Sequence, residues 1–297
     1  MDFRNYQEQA LKTDRIPVSN GVEIIVPLLG LAGEAGELLS EYKKHLRDGE
    51  AHRLFKERVA EELGDLLWYI ANLASKFELE LGAIAESNLK KCRDRWGLRS
   101  DGGSQGYSFD RNFPEQECLP RFFKVEITEV SQNQSVKMRA FVNGKQIGND
   151  LTDNSYSNDG YRFHDVFHLS YAAVLGWSPV IRGNLKCKRK SNPKIDEVED
   201  GGRAIAIEEG ISALIFSYAK DHNFLEGVLT LDYQLLKTIK SMTLHLEVRE
   251  CSLGDWEKAI LMGYEVWRQV KKYQGGTVIV NIDARSITYQ KNLLKFK

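Results

Sequence analysis

Carboxylate side chains recur at offsets of three and four residues in two segments near the start of the sequence. Glu34, Glu37 and Glu41 lie in the first segment, and Glu62 and Asp65 lie in the second. In a helix such offsets place side chains on one face, where like charges repel unless a cation lies between them. Carboxylate oxygens suit Mg²⁺, which keeps water and substrate phosphates among its ligands. The two segments therefore predict a Mg²⁺ site that acts on a phosphorylated substrate.

The first acidic segment, residues 30–44, has the leucine spacing of a helix but contains Gly30, Gly33 and Gly36. Each glycine costs a helix interior about 1 kcal/mol relative to alanine. We interpret the glycines as positions where a neighbouring helix or a triphosphate approaches the backbone closely. The second segment has an apolar row at helical spacing beside Glu62 and Asp65, so its carboxylates border a core and need a partner charge.

These segments belong to a helical N-terminal region. Hydrophobic periodicity predicts four helices with short connections, as in a bundle, over residues 2–15, 19–46, 53–77 and 81–96. Residues 99–120 are rich in Gly, Ser, Asp and Pro without periodicity, which is typical of a linker. We therefore predict a multidomain protein that begins with an all-α bundle at 1–98.

The remaining residues, 121–297, predict an α+β domain. Alternating β-branched and aromatic residues indicate strands over 121–130 and 135–148, with a hairpin turn at Asn143-Gly144. Helical segments follow over residues 161–177, 202–222, 229–248 and 253–273, and residues 276–290 again have the pattern of one or two strands.

The N-terminal third resembles a known family. The run Glu34-x-x-Glu37, then 24 residues, then Glu62-x-x-Asp65 resembles the ExxE…ExxD signature of the MazG-like all-α nucleoside triphosphate pyrophosphohydrolases. The stretches "EELGDLLWYIANLA" and "NLKKCRDRW" resemble that family too. The resemblance implies a homodimer or homotetramer that uses Mg²⁺, with Mn²⁺ as an alternative. Its reaction would convert a (d)NTP and water into the monophosphate and pyrophosphate.

The resemblance also implies roles for the acidic residues. By motif match, the metal ligands are Glu34, Glu37, Glu62 and Asp65. Glu37 and Glu41 are the catalytic candidates. Glu41 and Glu61 lie outside the signature and could be ligands, a base or surface residues, and we rank Glu41 above Glu61.

The fourth predicted helix supplies the opposite charge. Asn88, Lys91 and Arg95 lie at offsets of three and four residues, so one helix face carries an amide and two cations. Such groups suit a base or ribose and a triphosphate. The alternative is a charged face in contact with solvent.

The second half contains a further candidate site. His164 and His168 are four residues apart in a helical segment, and Glu208 or Glu209 could complete a metal site with them. The interpretation that we favour is two core histidines hydrogen-bonded to the buried glutamate pair. The basic stretch 182–194 predicts a mobile charged loop, but the acidic stretch 196–200 follows it directly, so we do not expect a nucleic acid partner.

Composition limits the other possibilities. Lys+Arg is 41 and Asp+Glu is 42, so the net charge of -1 gives no reason to expect nucleic acid or membrane partners. The sequence contains no secretory signal pattern and no apolar run long enough to span a bilayer, and its four cysteines are scattered. These features predict a cytoplasmic protein.

The leading hypothesis is a Mg²⁺-dependent pyrophosphohydrolase. The alternatives are a nucleotide-sensing protein whose C-terminal domain signals or assembles, and a bifunctional enzyme with a second metal site.

Overall fold

The computed structural model describes residues 1–15, 22–96, 108–132 and 135–292. The chain divides into two compact units, Met1–Arg93 and Asp94–Lys297. The first is helical and the second combines helices with an antiparallel sheet, which confirms the predicted fold class. Residues 99–107 of the predicted linker lie outside the described residues, and residues 108–120 belong to the second unit.

The first unit consists of helices at the four predicted places. They are α1 (Phe3–Lys12), α2 (Val22–Asp48), α3 (Phe55–Lys76) and α4 (Leu81–Trp96), of which the last residues of α4 belong to the second unit. Helices α2 and α3 pack along each other. At Gly30 in α2, a Cβ atom would lie 2.2 Å from Cζ of Tyr69 in α3, so only glycine allows this approach.

The core of the first unit is small. Its fully buried cluster contains Ala10, Ala71 and Leu81. In contrast, many large apolar side chains on α2 are exposed, and Leu39 keeps 70% of its surface accessible. The large apolar side chains of α2 are therefore mostly in contact with solvent in the single chain.

The second unit contains a five-stranded antiparallel sheet. Its strands are β1 (Phe122–Gln132), β2 (Ser135–Val142), β3 (Lys145–Leu151), β4 (Gly275–Asn281) and β5 (Ser286–Gln290), in the order β3-β2-β1-β4-β5. Asn143 and Gly144 connect β2 to β3 with φ angles of 51° and 74°, as a two-residue hairpin of this type requires. The predicted hairpin is therefore confirmed.

The second unit also contains α-helices. They are α5 (Asp165–Leu175), α6 (Pro179–Leu185), α7 (Pro193–Val198), α8 (Gly202–Lys220), α9 (Tyr233–Met242) and α10 (Leu253–Tyr273). Helices α5 and α10 pack on each other and on β4 and β5. A continuous hydrophobic core fills the unit and includes the fully buried Trp256 and Trp267. No helix in the described ranges combines the length and the apolar character of a membrane span.

The basic stretch 182–194 differs from the prediction of a mobile charged loop. It forms the end of α6, a connecting segment over 186–192 and the start of α7. The side chains of Arg182 and Arg189 are both buried. Arg182 donates a hydrogen bond of 2.7 Å to Asp110, and Arg189 donates one of the same length to Asp200. Arg182 lies in a helix and Arg189 in the connecting segment, and both neutralise buried carboxylates, so the prediction of a mobile charged loop was wrong for these two residues.

Candidate functional site

Three of the predicted metal ligands converge between α2 and α3. Glu34 on α2 and Glu62 and Asp65 on α3 each offer one carboxylate oxygen, and these oxygens all lie within 4.8 Å of one another. Glu34 and Glu62 are half-buried, whereas Asp65 is exposed. Offsets of three residues on α3 place Glu62 and Asp65 on the face that α2 covers with Glu34. The result is an oxygen-lined group that is open to solvent on one side.

Electrostatic repulsion is the main property of this group. Partial burial raises the pKa of Glu62, and the neighbouring carboxylate of Glu34 raises it further. Glu37 and Asp65 act on the same carboxyl in the same direction. Glu37 is exposed and lies outside the set of three that converges, although its charge reaches Glu62. Carboxylates that repel one another in this way are stabilised when a hard divalent cation binds between them, and their donor set of oxygens fits Mg²⁺.

Glu41 has a different environment from the other carboxylates of α2. It is buried, forms an ion pair with Lys44, and one of its oxygens lies 2.9 Å from Nε2 of His52. The hydrogen bond from Lys44 holds the pKa of Glu41 below its usual value. Both oxygens are therefore engaged by cationic or polar groups. Sequence reasoning missed these partners: the offset of three residues could have indicated Lys44, but His52 lies in the predicted break between helices.

Near the carboxylates, α2 leaves room at two glycines. A Cβ atom at Gly33 or Gly36 would meet no heavy atom within 4 Å among the described residues. The predicted close approach of a neighbouring helix is therefore found at Gly30 but not at these two positions.

On α3, the side chain of Asn72 is fully buried, and neither of its polar atoms has a hydrogen-bond partner among the described residues. Buried amides without partners are uncommon in folded proteins.

The predicted substrate-binding residues of α4 have separate surroundings. Asn88 and Lys91 are exposed and line an open groove together with Ile84. Arg95 belongs to the second unit, where it donates a hydrogen bond of 2.7 Å to the carbonyl oxygen of Leu231. Its guanidinium also lies over the ring of Tyr233. Substrate binding by these three residues stays a prediction.

The second unit brings His164 and His168 close to both glutamates of α8. Nδ1 of His168 lies 2.9 Å from Glu208, whereas Nε2 of His168 and of His164 lie 3.4 Å and 3.7 Å from Glu209. Burial by itself lowers the pKa of His168, but the Glu208 carboxylate more than reverses this effect and the pKa rises to about 10. The atoms that could bind one metal ion thus belong to His164, His168 and Glu209. Glu208 instead contacts Nδ1 of His168, on the opposite side of that imidazole.

Comparisons with known proteins agree with this division of the chain. Residues 26–97 match the MazG nucleotide pyrophosphohydrolase domain, and residues 104–293 match the MazG C-terminal domain. The Gene 37 protein of Mycobacterium phage L5 is 39% identical over 69 residues. This similarity covers 23% of the chain and 60% of that protein, so the chain spans less than two thirds of the relative's length. No solved structure matches the chain.

The first of these matches contains the carboxylates of α2 and α3, and the second contains the sheet and the histidine cluster. Together they confirm the family resemblance that was drawn from the ExxE…ExxD signature. The chain therefore belongs to the MazG family, with a MazG nucleotide pyrophosphohydrolase domain followed by a MazG C-terminal domain.

Proposed function

We propose that this protein hydrolyses a nucleoside triphosphate to the monophosphate and pyrophosphate, with Mg²⁺ or Mn²⁺ held by Glu34, Glu62 and Asp65. The observation that carries the proposal is the convergence of these three carboxylates within a MazG nucleotide pyrophosphohydrolase domain. Divalent ions at such a site stabilise charge on a phosphoryl group and lower the pKa of bound water.

The chain's own groups have distinct tasks in this reaction. Glu34, Glu62 and Asp65 would hold the cation, which would stabilise negative charge on the triphosphate. Glu37 is exposed beside the group and accepts the proton of the attacking water. The bond between the α-phosphorus and its bridging oxygen breaks, and pyrophosphate leaves. Glu41, whose oxygens are held by Lys44 and His52, fixes the α2 face from which Glu37 projects.

Recognition of the nucleotide is assigned to groups outside the carboxylate cluster. Asn88 and Lys91 on α4 would contact the base or ribose and the phosphates, and Arg95 would do so only after leaving the Leu231 carbonyl. The buried and unpaired amide of Asn72 is a further candidate, because a nucleotide would supply the missing hydrogen bonds. The open helix face at Gly33 leaves space for phosphates close to the α2 backbone.

The experiment is a panel of canonical and modified (d)NTPs with separation of the products. Monophosphate plus pyrophosphate is the expected outcome, and Glu37→Gln should abolish it while the circular dichroism spectrum stays that of the wild type. Diphosphate plus phosphate would contradict the proposed bond cleavage. Nucleotide binding without any turnover at saturating Mg²⁺ would favour a nucleotide-sensing protein instead.

We also propose that the first unit associates with a second copy of the chain. Its core is small, whereas the leucines of α2 are widely exposed, so association would remove apolar surface from water. A homodimer or homotetramer should be found by sedimentation analysis. Leu39→Lys should shift it towards smaller species, whereas Leu229→Lys, on an 87% exposed side chain of the second unit, should not. A monomeric wild type would refute the proposal.

A further inference from the structure

The second unit contains a histidine and carboxylate cluster that the proposed reaction does not use. His164 lies at the start of α5, His168 lies one turn later, and Glu209 projects from α8. One nitrogen of each histidine and one oxygen of Glu209 lie within 4.8 Å of one another. The offset of four residues places both imidazoles on the same helix face. The cluster therefore presents two nitrogen donors and one oxygen donor to a common point.

Both imidazoles are oriented through their other nitrogen. Nδ1 of His164 lies 2.8 Å from the carbonyl oxygen of Tyr161, and Nδ1 of His168 lies 2.9 Å from Glu208. Since these partners are acceptors, each Nδ1 carries a proton and donates it. The remaining Nε2 atoms are the ones that face Glu209, and a metal ion there would displace any proton that they carry. Histidines that bind metal ions are usually held in this way, with one nitrogen on the ion and the other donating to a carboxylate or a carbonyl.

Glu208 is anchored as a positioning residue and not as a ligand. Its side chain is fully buried and accepts hydrogen bonds from Oγ of Ser178 at 2.6 Å and from the backbone N–H of Val180 at 2.9 Å. Together with the bond from His168, these donors occupy both oxygens. Ser178 is also the N-cap residue of α6, so the carboxylate is fixed to a helix terminus. Glu208 thereby sets the ring orientation of His168.

An independent observation shows that the cluster is incomplete. Nε2 of His168 is fully buried and makes no hydrogen bond with the described residues, and it faces Glu209 at 3.4 Å in an ion pair without hydrogen-bond geometry. Buried polar atoms without a hydrogen bond are uncommon in folded proteins. The atom is aimed at the same point as Nε2 of His164 and the Glu209 carboxylate. A cation at this point would give all three of them a partner.

We propose that His164, His168 and Glu209 bind a divalent transition metal ion such as Zn²⁺ or Mn²⁺. Imidazole nitrogen suits these ions, whereas Mg²⁺ prefers oxygen ligands. Three protein ligands are the usual number at sites where water or a substrate oxygen takes the remaining position. The side chain of Glu209 is 41% exposed, which leaves that position accessible from solvent. The site goes beyond the pyrophosphohydrolase reaction and does not depend on it, since all its residues lie in the second unit.

The experiment is a Co²⁺ titration of the full-length chain, followed by the visible ligand-field absorption of the bound ion. The chain carries Glu34→Gln and Asp65→Asn, so that the N-terminal carboxylates do not compete. We expect one equivalent of Co²⁺ to bind with a spectrum typical of nitrogen ligation, and added Zn²⁺ to displace it. Glu209→Gln and His164→Gln should each weaken Co²⁺ binding at least tenfold, because each removes one of three ligands.

Two controls keep the result interpretable. His245→Gln changes an exposed histidine of the same unit and should leave Co²⁺ affinity unchanged. Glu209 is partly exposed, so Glu209→Gln should retain the tryptophan near-ultraviolet circular dichroism of the folded unit. Absence of ligand-field absorption, or equal Co²⁺ affinity in the parent, Glu209→Gln and His164→Gln chains, would overturn the proposal.

Discussion

The two units contain contrasting groups of carboxylates. In the first unit, Glu34, Glu62 and Asp65 gather within 4.8 Å, and partial burial together with the neighbouring carboxylates raises the pKa of Glu62. In the second unit, several buried carboxylates pair with arginines, as Asp110 does with Arg182. An arginine neutralises the charge of a carboxylate beside it, whereas carboxylates gathered together repel one another and favour a bound cation. The comparison therefore predicts which acidic residues are structural and which are functional.

The units also differ in how they bury apolar surface. The second unit has a continuous core between its sheet and helices, with Trp256 and Trp267 fully buried. The first unit buries a cluster of Ala10, Ala71 and Leu81 and leaves large side chains such as Leu39 exposed. Burial of apolar surface contributes about 25 cal/mol per Å² and is the main favourable contribution to folding. We therefore expect the second unit to be stable by itself and the first to gain stability from the proposed association and from binding of a metal ion.

The largest predicted effect is the loss of catalysis when one charge is removed from the carboxylate group of Glu34, Glu62 and Asp65. Asp65→Asn should lower kcat about 10⁴-fold, because metal ions contribute several kcal/mol of transition-state stabilisation and each 1.4 kcal/mol is a factor of ten. Glu61→Gln is the matched control on the same helix, since Glu61 is exposed and pairs with Arg58. Pyrophosphate release at saturating Mg²⁺ measures both variants. An equal decrease of kcat in the two variants would contradict the proposed difference between functional and surface carboxylates.

A second prediction concerns the paired carboxylates. Asp110→Asn should lower the free energy of unfolding of the second unit by about 3–5 kcal/mol, because buried Arg182 would lose its 2.7 Å partner charge and keep only Asp200, 3.7 Å from its Nε. The control is Asp48→Asn in the first unit, where Arg47 and Asp48 form an exposed pair. Solvent and salt screen such a pair, so little change is expected there. Urea unfolding of the two variants, followed by tryptophan fluorescence and far-ultraviolet circular dichroism, makes the comparison.

The same pair predicts a pH dependence. Burial raises the pKa of Asp110, but the N–H of Leu119 and the guanidinium of Arg182 outweigh it and hold the pKa below its usual value. The stabilisation from this lowered pKa is therefore complete above about pH 4, the ordinary aspartate value, and is lost as the pH falls through the lowered value. Wild-type unfolding free energy should decrease in acid, and the decrease should be smaller in Asp110→Asn. An equal decrease in both would show that other groups control acid unfolding.

A third prediction tests the glycines of α2. Gly30→Ala should destabilise the first unit by about 1–3 kcal/mol, because its Cβ would overlap the Tyr69 ring and force a shift in packing. Gly33→Ala, where nothing lies within 4 Å, should stabilise the same helix by up to about 1 kcal/mol. Urea unfolding without Mg²⁺ reports both changes. If both variants were stabilised, the close contact between α2 and α3 would be refuted.

Much of this arrangement could be predicted from the sequence where local signals suffice. The apolar spacing of 253–273 gave α10 with its bounds, and Asn143-Gly144 gave the hairpin. The carboxylates could be grouped because the offset of three residues and the helical period fix one face. Each of these inferences depends on residues that are close together in the chain.

The parts that the sequence did not predict depend on distant partners. Arg182 and Arg189 were assigned to a mobile loop because their partners Asp110 and Glu247 lie 72 and 58 residues away. Similarly, Glu208 and Glu209 are adjacent in the sequence. The rotation of α8 about its own axis, where it packs against α5, determines which of the two faces both histidines. Helical periodicity alone does not distinguish two neighbouring positions that both border a core.

The smallest predicted effect tests the electrostatic repulsion between the carboxylates of Glu34, Glu62 and Asp65. Glu62→Gln should raise the thermal midpoint of the metal-free protein at pH 7, because it removes a charge whose neighbours raise its pKa. A carboxyl with a raised folded pKa favours the folded state below its ordinary value of about 4.3, and that benefit is lost as the pH rises through the folded value. The advantage of the variant should therefore vanish in acid. Added Mg²⁺ should stabilise the wild type and Glu61→Gln but not Glu62→Gln. A metal-free Glu62→Gln that melts below the wild type at pH 7 would mean that the carboxylate is already stabilised without a cation.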